Sequence, residues 1–246
     1  MSVWGKIIGG AAGLALGGPL GALIGTAAGH AVDKISEGAG DLLIDEEQSK
    51  RKIAFTIGVI VLSAKMAKAD GIVTRDEIAA FREIFHISDY ETKNVGKVWD
   101  LARRDIAGFE IYAKQIARLF NPNSPVLEEL LGSLIYIAKA DGVVNPDEIE
   151  YLEQVATIFG FSELEFRRVL AVYGALAKDD PYSVLGVEPS ATDDEVKRAY
   201  RRLTMENHPD KLVANGMPEE LIRQATDKMA SVNVAYDNIM EQRARG

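Results

Sequence analysis

"DPYSVLGVEPSATDDEVKRAYRRLTMENHPDKL", residues 180–212, decides how the last part of this 246-residue chain folds. Thr192 followed three residues later by Glu195 is an S/T-x-x-E capping box, whose hydroxyl and carboxylate satisfy backbone N–H groups left open at a helix start. The helix so opened carries Val196, Ala199, Tyr200 and Leu203 at i, i+3, i+4 and i+7, a single apolar face. Pro209 disfavours helical geometry at His208, so the helix is expected to end near Asn207. His208, Pro209 and Asp210 then sit in an exposed loop. Pro218 opens a second long helix to about Glu241, whose Leu221, Ala225, Met229, Val232 and Tyr236 fit an antiparallel return. The expectation is a helical hairpin with a functional tip.

The other face of the first helix holds Lys197, Arg198, Arg201 and Arg202 with no acid between them. Like charges at i, i+4 weaken a helix slightly. Two readings stand: a basic face that is merely solvated, or a surface for an acidic partner. Catalysis by His208 has no support, because no nucleophile accompanies it and His30 and His86 are distant in the chain. Any chemistry is expected to happen on a partner.

Tyr182, Leu185-Gly186, the basic stretch from Lys197 to Arg202 and His208-Pro209-Asp210 together resemble the J-domain of DnaJ-type co-chaperones, over residues 180 to 242. The resemblance implies that His208, Pro209 and Asp210, with Lys197, Arg198, Arg201 and Arg202, dock on a DnaK-type chaperone and speed its ATP hydrolysis. The chain would then be a co-chaperone and not an enzyme. Asp210 offers a carboxylate to an arginine, and a cationic helix steers towards acidic surface.

Upstream, "AKADGIVTRDEI" at 67–78 recurs as "AKADGVVNPDEI" at 138–149. Each copy reads as an apolar helix, an Ala-Asp-Gly turn and a capped helix. Thr74 with Glu77 is one capping box; Asn145, Pro146 and Glu148 supply a cap, a first-position proline and an N3 acid. Ser88 with Glu91 and Ser162 with Glu165 start the next helix in each half. An all-helical, duplicated unit is expected. Set on an EF-hand frame, the turns lack ligands at positions 1 and 3, where Met66 and Lys68 or Ile137 and Lys139 stand. The plainer reading is a tight turn, with Gly71 and Gly142 in a backbone shape few residues tolerate and the aspartate closing it. Pseudo-symmetry can still bring Asp70, Glu77, Asp141 and Glu148 together on a divalent cation; otherwise no cofactor is expected. Over roughly residues 50 to 178 this doubled pattern resembles the TerB-like helical domains, a likeness that implies the same acidic residues as metal ligands.

At the N-terminus, glycines stand at 5, 9, 13, 17, 21, 25 and 29, and Ile7 to Val32 holds no Lys, Arg, Asp or Glu. As a helix those residues reach about 39 Å, enough for a hydrocarbon core of roughly 30 Å. A secretory signal would be shorter and more basic at its start. Small residues four apart favour close helix pairing in lipid, so Gly9, Gly13, Gly17, Gly21, Gly25 and Gly29 read as a self-association stripe. A re-entrant hairpin about Pro19 is the alternative. A pore is disfavoured, since nothing polar would line it. Lys34 and Lys50-Arg51-Lys52 outnumber Lys6, which places the bulk of the chain in the cytoplasm, single-pass.

The formal net charge of −9 argues against nucleic acid as a partner, and the absence of cysteine excludes disulfides and thiolate metal sites. The expected architecture is all-α: a membrane anchor at 1–33, a juxtamembrane linker at 34–49, the TerB-like domain at 50–178 and the J-domain at 179–246. This combination resembles the membrane-anchored DnaJ-like protein A family, a bacterial group, which implies an inner-membrane co-chaperone with clients unknown. The zinc module of full DnaJ proteins is missing. A second function remains in view: a cation-responsive envelope-stress sensor acting through the TerB-like domain.

Overall fold

The computed structural model describes residues 18, 20–21, 43–69, 75–84, 87, 89–104, 108–142, 144–174, 180–215, 217 and 222–245. Among the described residues every regular element is a helix. The middle domain is built on α1 (Leu43–Ala69), which begins within the stretch expected to be a linker. Its described side chains from Ala54 to Met66 are all buried. A helix segment buried on every side, with Thr56, Ser63 and Lys65 as its polar members, occupies the centre of a core. Around it run α2 (Arg75–Ile84), α3 (Asp89–Arg104), α4 (Phe109–Ala117), α5 (Pro125–Ala138), α6 (Pro146–Phe159) and α7 (Glu163–Val172). Helices α3 to α6 pack on α1 directly. Gly58 allows the close approach of α4: a Cβ there would lie 2.7 Å from Ile116 Cδ1. Tyr151 of α6 drives its ring into the same core and donates its hydroxyl to the Leu62 carbonyl at 2.8 Å.

The duplication is visible in its second copy. Helix α5 tightens into a 3-10 turn over Lys139–Asp141, and Gly142 comes next at φ 109°. The turn is closed by Gly142 N–H donating to the Lys139 carbonyl at 2.8 Å, while the Asp141 side chain is exposed. This corrects the expectation that the aspartate closes it: the backbone alone suffices once glycine supplies the positive φ. Asn145 with Glu148 and Ser162 with Glu165 form complete capping boxes. Helix α2, the first-copy counterpart of α6, packs beside the Lys139–Asp141 turn, so the halves meet as pseudo-symmetry requires. Asp70, Gly71, Thr74 and Ser88 lie outside the described residues.

Of the N-terminal segment, Gly18, Leu20 and Gly21 are described. Leu20 is buried in the middle-domain core, and its N–H donates to Gln115 Oε1 of α4 at 2.9 Å. Gly9, Gly13, Gly17, Gly25 and Gly29 lie outside the described residues, and among the described residues no helix is long and apolar enough to cross a membrane.

The C-terminal domain comprises α8 (Pro181–Leu185), α9 (Asp193–Glu206), α10 (Pro209–Ala214) and α11 (Ile222–Arg245). Val184, Leu185, Val196, Leu203, Val232, Ala235 and Ile239 form a second core, with Met229 and Tyr236 at its edge. The two cores interlock. Ala171 of α7 belongs to the smaller core, whereas Leu212, Met217 and Ala225 are buried in the larger one. Ala225 thus shares the larger core with Leu212 and Met217, and α11 packs on both α9 and α10.

Candidate functional site

Helix α9 begins as its sequence dictates: Thr192 accepts from Glu195 N–H, and the Glu195 carboxylate accepts from Thr192 N–H at 2.7 Å. Those bonds from Thr192 hold the Glu195 carboxyl below its ordinary range. Before α9, Asp180 caps α8, which ends at Gly186 with φ 66°. The apolar face of α9 is buried, and Tyr200 stacks on Tyr236 of α11 with ring centroids 4.3 Å apart. That packing leaves one orientation for the basic face. Arg198, Arg201 and Arg202 are exposed and Lys197 is half-buried. Met205, one turn beyond Arg201, is 71% exposed and adds an apolar element to this cationic surface. Nothing in its spacing marked it.

The helix ends at Asn207, as expected from Pro209. The residues beyond it do not form a simple loop. His208 caps α10, with Pro209 in its first turn, and His208 Nδ1 accepts from Asp210 N–H at 3.3 Å. The correction has a physical reason: a proline that ends one helix is well suited to the first turn of the next, where its missing N–H costs nothing. The His208 and Asp210 side chains are 61% and 94% exposed. The carboxylate of Asp210 thus projects into solvent at the end of a cationic ridge. With Nδ1 used as acceptor, neutral His208 carries its proton on Nε2.

A second set of residues, which sequence reasoning missed, lies behind this surface. Arg168 of α7 forms a two-pronged pair with Glu128 of α5, at 3.0 and 2.5 Å. Lys228 of α11 reaches Glu128 Oε1 at 2.7 Å and Glu129 Oε1 at 2.8 Å. Tyr173 donates to Glu129 Oε2 at 2.6 Å. All these side chains but Tyr173 are at most 7% exposed. Burial would raise the Glu128 carboxyl, but the Arg168 and Lys228 charges override it and hold it at about 2. Burial and the Glu129 charge push the Tyr173 phenol well above its ordinary value. Two carboxylates against one guanidinium leave one negative charge in the middle domain, and Lys228 cancels it from the other side. At the far end of α11, Arg243 donates to Asp193 Oδ1 at 2.8 Å and to the Ala191 carbonyl at 2.6 Å, and lies over the Tyr182 ring.

Among the described residues, the acids of the repeats are not gathered in the same way. Glu148 Oε2 accepts from Asn145 N–H at 2.9 Å, Glu77 is buried near the start of α2, and Asp141 is exposed. Asp70 lies outside the described residues. Among the described residues no group of three or more His, Asp or Glu side chains is placed to hold a metal ion.

Three family models match the chain in succession: the co-chaperone DjlA transmembrane domain over residues 1–52, the tellurite resistance protein TerB over 56–171, and the DnaJ domain over 180–246. Among curated proteins, the co-chaperone protein DjlA of Photobacterium profundum is 30% identical, over 98% of this chain and 99% of that protein. Those of Coxiella burnetii and Escherichia coli K12 are 28% and 26% identical, again over at least 98% of both chains. No solved structure matches significantly. Three family models in that order, with a relative 30% identical across nearly the whole of both chains, show that the chain belongs to the DjlA family of J-domain co-chaperones.

Proposed function

We propose that this chain stimulates ATP hydrolysis by a DnaK-type chaperone and does so from a membrane surface. The observation that carries the reading is the exposed surface on which Arg198, Arg201 and Arg202 of α9 run up to His208 and Asp210. A ridge of cations raises the encounter rate with an acidic partner surface, and an exposed carboxylate at its end can take an arginine of that partner with two parallel hydrogen bonds. Lys197 and Pro209 complete the docking set, Pro209 by fixing the angle between α9 and α10. ATP hydrolysis itself takes place on the chaperone, so this chain contributes binding and timing and is no ATPase.

The glycine-spaced segment at residues 1–33 serves as the anchor, in contact with lipid and paired through Gly9, Gly13, Gly17, Gly21, Gly25 and Gly29, a state in which Leu20 exchanges its seat in the middle-domain core for the bilayer, with the rest of the chain on the cytoplasmic side of a bacterial inner membrane. The match to a transmembrane family model over residues 1–52 supports this address.

The test is single-turnover ATP hydrolysis by a purified DnaK-type chaperone with the full chain in detergent micelles, beside its His208→Gln variant. Acceleration by the unaltered chain and none by the variant is expected. Equal acceleration by both, or by neither, overturns the reading.

A further inference from the structure

The His-Pro-Asp segment is supported from the neighbouring domain. Asn207, immediately before His208, is 1% exposed; its Nδ2 donates to the Leu203 carbonyl at 2.8 Å, beside the helical bond from its own N–H to the same oxygen. Its Oδ1 accepts from Lys228 Nζ at 2.6 Å. The other two contacts of that ammonium are Glu128 and Glu129 of α5. The ammonium donates to Glu129 Oε1 and Asn207 Oδ1 and pairs by charge with Glu128 Oε1. Leu212 of α10 and Met217 after it are fully buried in the larger core, together with Ala225 of α11, the helix on which α10 packs. Asn207 is thus tied to α5 through Lys228, while Leu212 and Met217 are seated in the core that the two domains share.

We propose that Glu128, Glu129 and Lys228 are positioning residues that set the geometry of His208-Pro209-Asp210 through Asn207, making the TerB-like domain a structural part of the chaperone-docking surface. The consequence for chaperone binding rests on the function proposed above; the positioning itself does not. The charge balance favours a fixed arrangement over a loose tether. Separating the domains strands a buried ammonium on one side and an unmatched carboxylate on the other, and an uncompensated buried charge is among the costliest defects a fold can carry. Whatever moves α5 must also move the residue that precedes His208.

The experiment uses the full chain in detergent micelles with two variants. Lys228→Met keeps the length of the side chain and removes its three donors; Glu129→Gln keeps shape and leaves Lys228 its other two partners. Backbone hydrogen exchange is read at residues 207–217 and, as an internal reference, at 196–203. The co-chaperone concentration for half-maximal stimulation of the DnaK-type chaperone is read separately from the maximal rate. Lys228→Met is expected to speed exchange at 207–217 by about tenfold, the scale of a lost hydrogen bond to a charged group, with 196–203 unchanged. It is also expected to raise the half-maximal concentration at an unchanged maximal rate. Glu129→Gln should act in the same direction and less strongly, which keeps the test alive should Lys228→Met fail to fold. Unchanged exchange at 207–217 in Glu129→Gln and in folded Lys228→Met overturns the proposal, as does exchange that rises equally at 196–203. Because exchange is read without chaperone, a chain that fails to stimulate sinks the co-chaperone reading alone.

Discussion

Gly132 of α5 lies beneath the ring of Tyr173, so close that a Cβ on residue 132 would collide with the phenol. Only with that gap open does Tyr173 reach Glu129, one turn earlier on α5, at 2.6 Å. Gly132→Ala is therefore expected to destabilise the chain by about 1–3 kcal/mol, although alanine is the better helix former. Urea denaturation followed by circular dichroism checks this. A gain in stability would show that the ring moves aside freely.

Glu128 ties stability to pH. Its carboxyl is held at about 2 in the fold, below its ordinary 4.5, by Arg168 and Lys228. A depressed carboxylate stabilises above its unfolded value, and that contribution is lost as pH falls from about 4.5 towards 2. Here it is on the order of 3 kcal/mol. Glu128→Gln should be much less stable than the unaltered chain at pH 7, and the gap should narrow between pH 4.5 and 2. A gap of constant size over that range contradicts the assignment.

Arg243 joins the end of α11 to the connection between α8 and α9 through Asp193, the Ala191 carbonyl and the Tyr182 ring. Arg243→Ala should free that corner while leaving the docking surface in place. Faster hydrogen exchange around Ala191, with α10 unaffected, is the expected result. Exchange that rises throughout the domain would show that Arg243 holds more than a corner.

Exposed charges act through long-range steering, which salt screens. Reversing two of them, Arg201→Glu with Arg202→Glu, should raise the half-maximal co-chaperone concentration by more than about tenfold at low salt, and by much less at 0.5 M salt. Surface plasmon resonance against an immobilised DnaK-type chaperone reads this directly. A loss of equal size at both salt concentrations would point to direct hydrogen bonds instead of steering.

Local chemistry was legible from residue order alone. The capping boxes Asn145–Glu148, Ser162–Glu165 and Thr192–Glu195 are in place because each bond closes within three residues, and Gly142 takes its positive φ because the turn is built from its own backbone. The duplicated Ala-Asp-Gly pattern and His208-Pro209-Asp210 were equally plain, being short and contiguous. Where local reading failed, as in the loop expected where α10 stands, the cause was a proline that fits both the end of α9 and the start of α10. Tertiary structure alone decided what stands behind that segment. Lys228 is separated from Glu129 by 99 residues, and nothing about a lysine within α11 distinguishes a buried cation from a solvated one. Glu128 and Glu129 likewise sit near the start of α5 as any helix acids would. A charge becomes a structural element only once water is removed from around it, and which charges lose their water depends on how α5, α7 and α11 come together in space.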